Sequence, residues 1–311
     1  MSFLNERVLA LVAQEDGKIV VGGEFDTLSV SGRDNLGRVH ADGTLDTGFA
    51  PLGVDGRVLA LALEPDGDVL VGGDLDQLGG VARSSLGRLA SDGSVDTTFA
   101  AAVDGSVSEL VVQPDGEILV GGTFTSIGGE LRQNLARLHP DGSVDEDFDP
   151  LPDGRVEVIV LQPDGRILVA GYFQSIAGGS RDFVARLDSD GTLDETFDAG
   201  TIAPSSSRNN ALALQHDGRI LLGGSSQTMG GEIRWGIGRL HPDGAIDEDF
   251  DLGFLAGLVN PGQIMALALQ PDDKILVAGF FTAVGGVERD SLVRLRDAPP
   301  PTPRLECAAT E

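Results

Sequence analysis

The chain has 311 residues, enough for one large domain or two ordinary ones and enough to bury a core without covalent staples. Its one cysteine, Cys307, excludes a disulfide framework and a cysteine-based metal knuckle. With 22 basic against 49 acidic residues the formal net charge is −27, which sets nucleic acid and anionic lipid aside as partners. No apolar run approaches the roughly 18 residues of a membrane span, and residues 1–7 lack the basic-then-apolar profile of a signal peptide.

Along the chain one pattern recurs. An apolar run such as 58–63 leads into an Asp-Gly turn, and a second apolar run such as 69–71 ends in a glycine doublet, Gly72-Gly73. A loop of about ten residues follows, with a second small pair (Gly79-Gly80) and an arginine. A third run, such as 135–139, then turns at Asp141-Gly142 into a short segment ending at Phe148. The first turn recurs at Asp16, Asp66, Asp115, Asp164, Asp217 and Asp272. A second arginine holds a fixed place in all six copies: Arg38, Arg88, Arg137, Arg186, Arg239 and Arg294. Five copies add an Asp, at Asp46, Asp96, Asp145, Asp194 and Asp247, and a Phe, at Phe49, Phe99, Phe148, Phe197 and Phe250. Asp-Gly turns between short apolar runs predict β-hairpins, and helical periodicity is absent. Strands apolar on both faces must be covered on both faces. Four-stranded units covered by copies of themselves are propeller blades. The sequence therefore predicts an all-β, six-bladed β-propeller of four-stranded antiparallel blades over residues 1–297. Its repeats fall at about 8–57, 58–106, 107–155, 156–208, 209–263 and 264–297, and a proline-rich tail or linker occupies 298–311.

The doublet after an apolar strand, as in 18–23 and 219–224, resembles the kelch repeat. The closer resemblance is to the bacterial delta-60 repeat, a β-propeller domain of unknown function. Its apolar strand, Gln-Pro-Asp-Gly-Lys turn, Gly-Gly-x-Phe, Leu-x-Arg-Leu and Asp-Gly-x-x-Asp-x-x-Phe segments match residues 107–148 almost throughout. That resemblance implies a fold and no activity, and a place in large bacterial surface or secreted proteins. The proline-rich stretch 298–303 reads as a stiff linker, so a further domain is expected beyond the C-terminus.

A residue present in every blade solves a problem every blade has. The second arginines and the Asp series are read as a buried structural ladder, and the Phe series as core. Calcium is a possibility at Asp141, Asp145, Asp147 and Asp149, although the spacing is not that of an EF-hand-like loop, and no cofactor is expected. The histidines follow the repeat, no nucleophile elbow or phosphate loop is present, and no catalytic residue is assigned.

Function on a repetitive scaffold belongs where the repetition breaks. The long connections 198–208 and 251–263 flank blade five, near the one Trp and the one Tyr. The expected contact set for a protein or glycan partner is Tyr172, Trp235, Phe254, Phe280 and Arg208, on the loop end of blades four to six. The reading is a non-catalytic interaction or structural module. The alternatives are a carbohydrate-binding, adhesive propeller and a propeller-fold hydrolase or lyase. Blade six lacks its last turn and Phe. Residues 1–4 are expected to supply its outer strand, with 304–308 or a neighbouring chain as alternatives.

Overall fold

The structure, a computed structural model, describes residues 7–28, 34–49, 53–200, 202–234, 236–253, 255–256, 262–296 and 305–306. It divides into two compact units, Met1–Val156 and Glu157–Glu311. Among the described residues there is no helix, hence none long and apolar enough to cross a membrane.

Blade three shows how one repeat folds. Ser106–Val112, Ile118–Thr123 and Leu135–Leu138 form an antiparallel sheet with Ile118–Thr123 in the middle. The turn between the first two strands closes as predicted: Gly116 takes φ +90°, and Asp115 Oδ1 accepts from the Glu117 amide. The central strand is apolar throughout because both its faces are covered. Ile118, Leu119 and Val120 are fully buried, and Phe99, Phe124 and Ile127 pack in the same cluster as Ile118 and Val120.

The glycine doublet is a site of close approach. A Cβ on Gly72 would lie 2.6 Å from Cγ1 of Val107 on the neighbouring blade's first strand. A Cβ on Gly73 would run into the carbonyl oxygen of Arg57 in its own blade.

The structure adds detail at two places. In five repeats the fourth segment joins the sheet through one bridge: Val39↔Leu45, Leu89↔Val95, Leu138↔Val144, Leu187↔Leu193 and Leu240↔Ile246. The chain leaves the sheet there because the Asp two residues before the next amide caps it; Asp46 Oδ1 accepts from Gly48 at 3.0 Å and Asp194 Oδ1 from Thr196 at 2.8 Å. The second concerns the last blade. Leu292–Leu295 pairs with Leu305–Glu306, in the register Arg294↔Glu306 and Leu295↔Leu305, so the described partner of that edge is the tail. Residues 1–4, expected in this place, lie outside the described residues.

Candidate functional site

The arginine ladder forms, and its geometry is the same wherever an acid follows. Arg38, Arg88, Arg137, Arg186 and Arg239 donate from Nε to Asp46, Asp96, Asp145, Asp194 and Asp247 at 2.7–2.9 Å. Each guanidinium also lies over the Phe that ends its repeat, from 4.4 Å at Phe49 to 4.8 Å at Phe197. Nη1 then reaches the following repeat: Arg38 donates to the Ser91 carbonyl, Arg88 to that of Pro140 and Arg186 to that of Pro242. Burial opposes ionisation of Asp194, yet hydrogen bonds from Thr196 and Arg186 hold its pKa down to about 2. The ladder is architecture. Arg294, of the same series, lacks an acid rung because blade six has no Asp-x-x-Phe turn, and its buried Nε has no hydrogen-bond partner among the described residues.

Of the acids considered for calcium, Asp141, Asp145, Asp147 and Asp149, the first two make protein contacts within their repeat. Asp141 caps Ser143, and Asp145 is bound by Arg137 and caps Asp147.

At the loop end of the second unit the strand period decides which aromatics face out. Ile167–Tyr172 and Ile275–Phe280 are central strands, and the residue after each, Phe173 or Phe281, is buried. Alternation turns Tyr172 and Phe280 to solvent, with 50% and 62% of their surface exposed. The other repeats carry Glu24, Asp74, Thr123 and Ser225 at this position. Tyr172 leans on Phe183, with ring centroids 5.4 Å apart. Phe183 has φ +67°, the left-handed region, where the equivalent residues are Asn35, Ser85, Asn134, Gly236 and Ser291. A bulky residue here is strained, and strain of this kind gathers at functional positions. Trp235 and Phe254, expected beside them, lie outside the described residues, as does the side chain of Arg208.

The opposite, Asp-Gly end of the same unit holds a cavity of about 700 Å³. It lies between the turns of blades four and five, with Arg166, Arg186, Thr196, Leu214 and His216 on its walls. His216 Nδ1 lies 2.6 Å from Asp273 Oδ1, with both side chains more than half exposed. The sequence conceals this cavity because its walls are ordinary repeat positions; the one visible signal is His216 in place of the turn proline.

Several acids in the first unit depart from the repeat, Glu109, Glu64 and Asp68 among them. Burial pushes the Glu109 carboxyl up to about 8, at a register filled elsewhere by Ala10, Ala60, Val158, Ala211 and Ala266. Glu64, Asp66 and Asp68 each offer a carboxylate oxygen, and these atoms lie within 4.8 Å of one another.

Repeated three-stranded sheets with a bridged fourth segment, arginine-stapled to the next copy, define a β-propeller. The chain belongs to the family described as a domain of unknown function (DUF5122) beta-propeller, matched at residues 14–49, 64–99, 113–148, 162–197, 215–250 and 270–296, one match per blade. No curated protein matches the chain. Among solved structures it is similar to the WD40 propeller domain of Doa1, with TM-score 0.56 and 17% identity over 92% of this chain and 76% of the other. Virginiamycin B lyase from Staphylococcus aureus gives TM-score 0.53 at 14% identity, over 98% and 89%. The extracellular domain of a putative one-component system from B. thetaiotaomicron gives TM-score 0.53 at 14% identity, over 93% of this chain and 32% of that one. At these identities the likeness is one of fold.

Proposed function

We propose that this propeller is a non-catalytic recognition module that binds a protein partner through the loop end of its second unit. The supporting observation is the pair Tyr172 and Phe280, which put large apolar surface into water at a position where the other copies carry Glu24, Asp74, Thr123 and Ser225. Exposed aromatics on rigid strand ends are efficient anchors, since they bring contact area with few rotors to freeze. The strained Phe183 beneath Tyr172 fixes that ring's platform. A place within a longer surface protein is supported by the extracellular B. thetaiotaomicron domain, of which a segment of this fold makes up 32%.

A second reading, sugar binding, is favoured by the same rings, which can stack on pyranose faces. One experiment separates the two. A photo-crosslinking residue is placed at 172 or 280, or at Asp92 on the turn end, in the full chain on its host surface. Crosslinks to one protein from 172 and 280, lost when the other aromatic is changed to Ala, support the reading. Crosslinks from position 92 alone, or retention of the full chain on a glycan array that Tyr172→Ala abolishes, overturn it.

A further inference from the structure

Five repeats place their ladder acid by strand register as well as by side-chain contact. The amides of Asp46, Asp96, Asp145, Asp194 and Asp247 donate to the carbonyls of Arg38, Arg88, Arg137, Arg186 and Arg239 at 2.8–3.0 Å. One residue earlier an apolar residue, Leu45, Val95, Val144, Leu193 or Ile246, makes the bridge to the third strand. Each fourth segment therefore brings an apolar residue and then an acid to the third strand, with the acid opposite the arginine.

Blade six presents the same pattern from a different part of the chain. Where Leu292–Leu295 pairs with Leu305–Glu306, Leu305 lies opposite Leu295 and Glu306 opposite Arg294. These are the registers that Leu45 and Asp46 hold against Val39 and Arg38. The acid comes twelve residues after the arginine instead of eight, across a connection that holds Pro299, Pro300, Pro301 and Pro303. The lengthened connection hides the match from the constant spacing of the repeat.

Arg294 gives an independent reason to expect an acid here. In the five other arginines of its series Nε donates to the ladder Asp at 2.7–2.9 Å. Nε of Arg294 is buried with no hydrogen-bond partner among the described residues, which sets it apart from the rest of that series. A guanidinium shielded from water is costly until an acid meets it. In sequence, Ala309 stands where the five repeats have their Phe, three residues after the acid. The tail thus carries the acid of the repeat without its aromatic ring.

We propose that the outer edge of blade six is a docking edge for a strand in which an acid follows an apolar residue, that Arg294 selects the acid, and that the chain's own Leu305-Glu306 fills it as a releasable strap, with Glu306 standing in for the missing rung of the ladder. In strand addition the main-chain bonds give affinity and the side chains give selectivity. With two residues paired and no Phe, the charge pair decides whether the strap stays down. When it lifts, the edge of Leu292–Leu295 is open to pairing with another strand.

The test uses the full chain with a nitroxide spin label on Cys307, the one cysteine and the neighbour of Glu306. In wild type the label is immobilised. Glu306→Lys frees it and lowers the melting temperature by about 2–4 °C. Arg294→Glu frees it as well, and the exchanged pair, Arg294→Glu with Glu306→Arg, holds it again, which a merely destabilised blade would not do. Glu306→Asp, the acid of the other five repeats, keeps it held. Glu311→Lys makes the same charge change in the tail away from the Arg294 register and leaves the label held. A label equally mobile in wild type and Glu306→Lys, no recovery in the exchanged pair, or release by Glu311→Lys overturns the proposal. A concentration-dependent dimer that Glu306→Lys dissolves overturns it too, since the strand then comes from a second copy.

Discussion

Arg186 Nε sits 2.7 Å from Asp194 Oδ2, with 7% and 5% of the two side chains exposed. Breaking one side of such a pair strands the other charge in a medium that solvates it poorly, at about 3–5 kcal/mol. Arg186→Ala should cost that much in denaturant unfolding. The joint replacement Arg186→Met with Asp194→Leu should cost far less, since no charge is left behind. Arg57, paired with Asp74 but 52% exposed, serves as the comparison: Arg57→Ala should cost under about 1 kcal/mol. Equal losses for Arg186→Ala and Arg57→Ala would remove the distinction.

The same ladder sets an acid limb. The folded-state pKa of Asp194, about 2, lies below its unfolded value of about 3.9. The folded state therefore resists protonation, and the contribution is complete above about pH 4 and fades as pH falls towards 2. Melting temperature plotted against pH should fall less steeply over that window in Asp194→Asn than in wild type. Parallel curves would count against the assignment.

Glu109 acts in the opposite direction. Its carboxyl, raised to about 8 by burial, holds a proton in the folded state that the unfolded chain releases near pH 4.3. Stability lost to this group therefore accumulates as pH rises from about 4 to 8. Glu109→Gln should melt with wild type at pH 4 and above it at pH 8. A difference that is the same at both pH values would show that packing, and not ionisation, is responsible.

The two glycines of a doublet should not respond alike to alanine. Gly72 faces the side chain of Val107, which can shift, and its equivalents in blades four and six are Ala170 and Ala278; Gly72→Ala should cost about 1–3 kcal/mol. Gly73 faces the backbone carbonyl of Arg57, which is fixed in the sheet, and its equivalents are glycine in every repeat. Gly73→Ala should cost more than Gly72→Ala, as read from the two unfolding midpoints. The reverse order would contradict the packing described.

Much of this architecture is legible in the amino-acid sequence, for identifiable reasons. The constant spacing of eight from Arg38 to Asp46 and from Arg186 to Asp194 marks the ladder because both members belong to one hairpin. The outward turn of Tyr172 and Phe280 follows from a buried Phe one residue on. The reach of the outer strand is not legible in this way, because the side chain of Asp46 competes for the Gly48 amide and ends the sheet after one bridge. The turn-end cavity and the corner at Glu64 are hidden for a different reason. Each depends on residues brought together from separate strands, as with Glu117 and His139, which are 22 positions apart.

The reach of Arg38 to Ser91, of Arg88 to Pro140 and of Arg186 to Pro242 has a bearing on how such a chain can change over generations. Blade two both receives such a bond, at the Ser91 carbonyl, and gives one, from Arg88. Because each acceptor is a main-chain carbonyl at the same repeat position, the seam fixes the course of the backbone and leaves the accepting residue free to vary, as Ser91, Pro140 and Pro242 show. Divergence is channelled into the positions the seams do not use, and the solvent-facing ends of the central strands, with Tyr172 and Phe280, are among them.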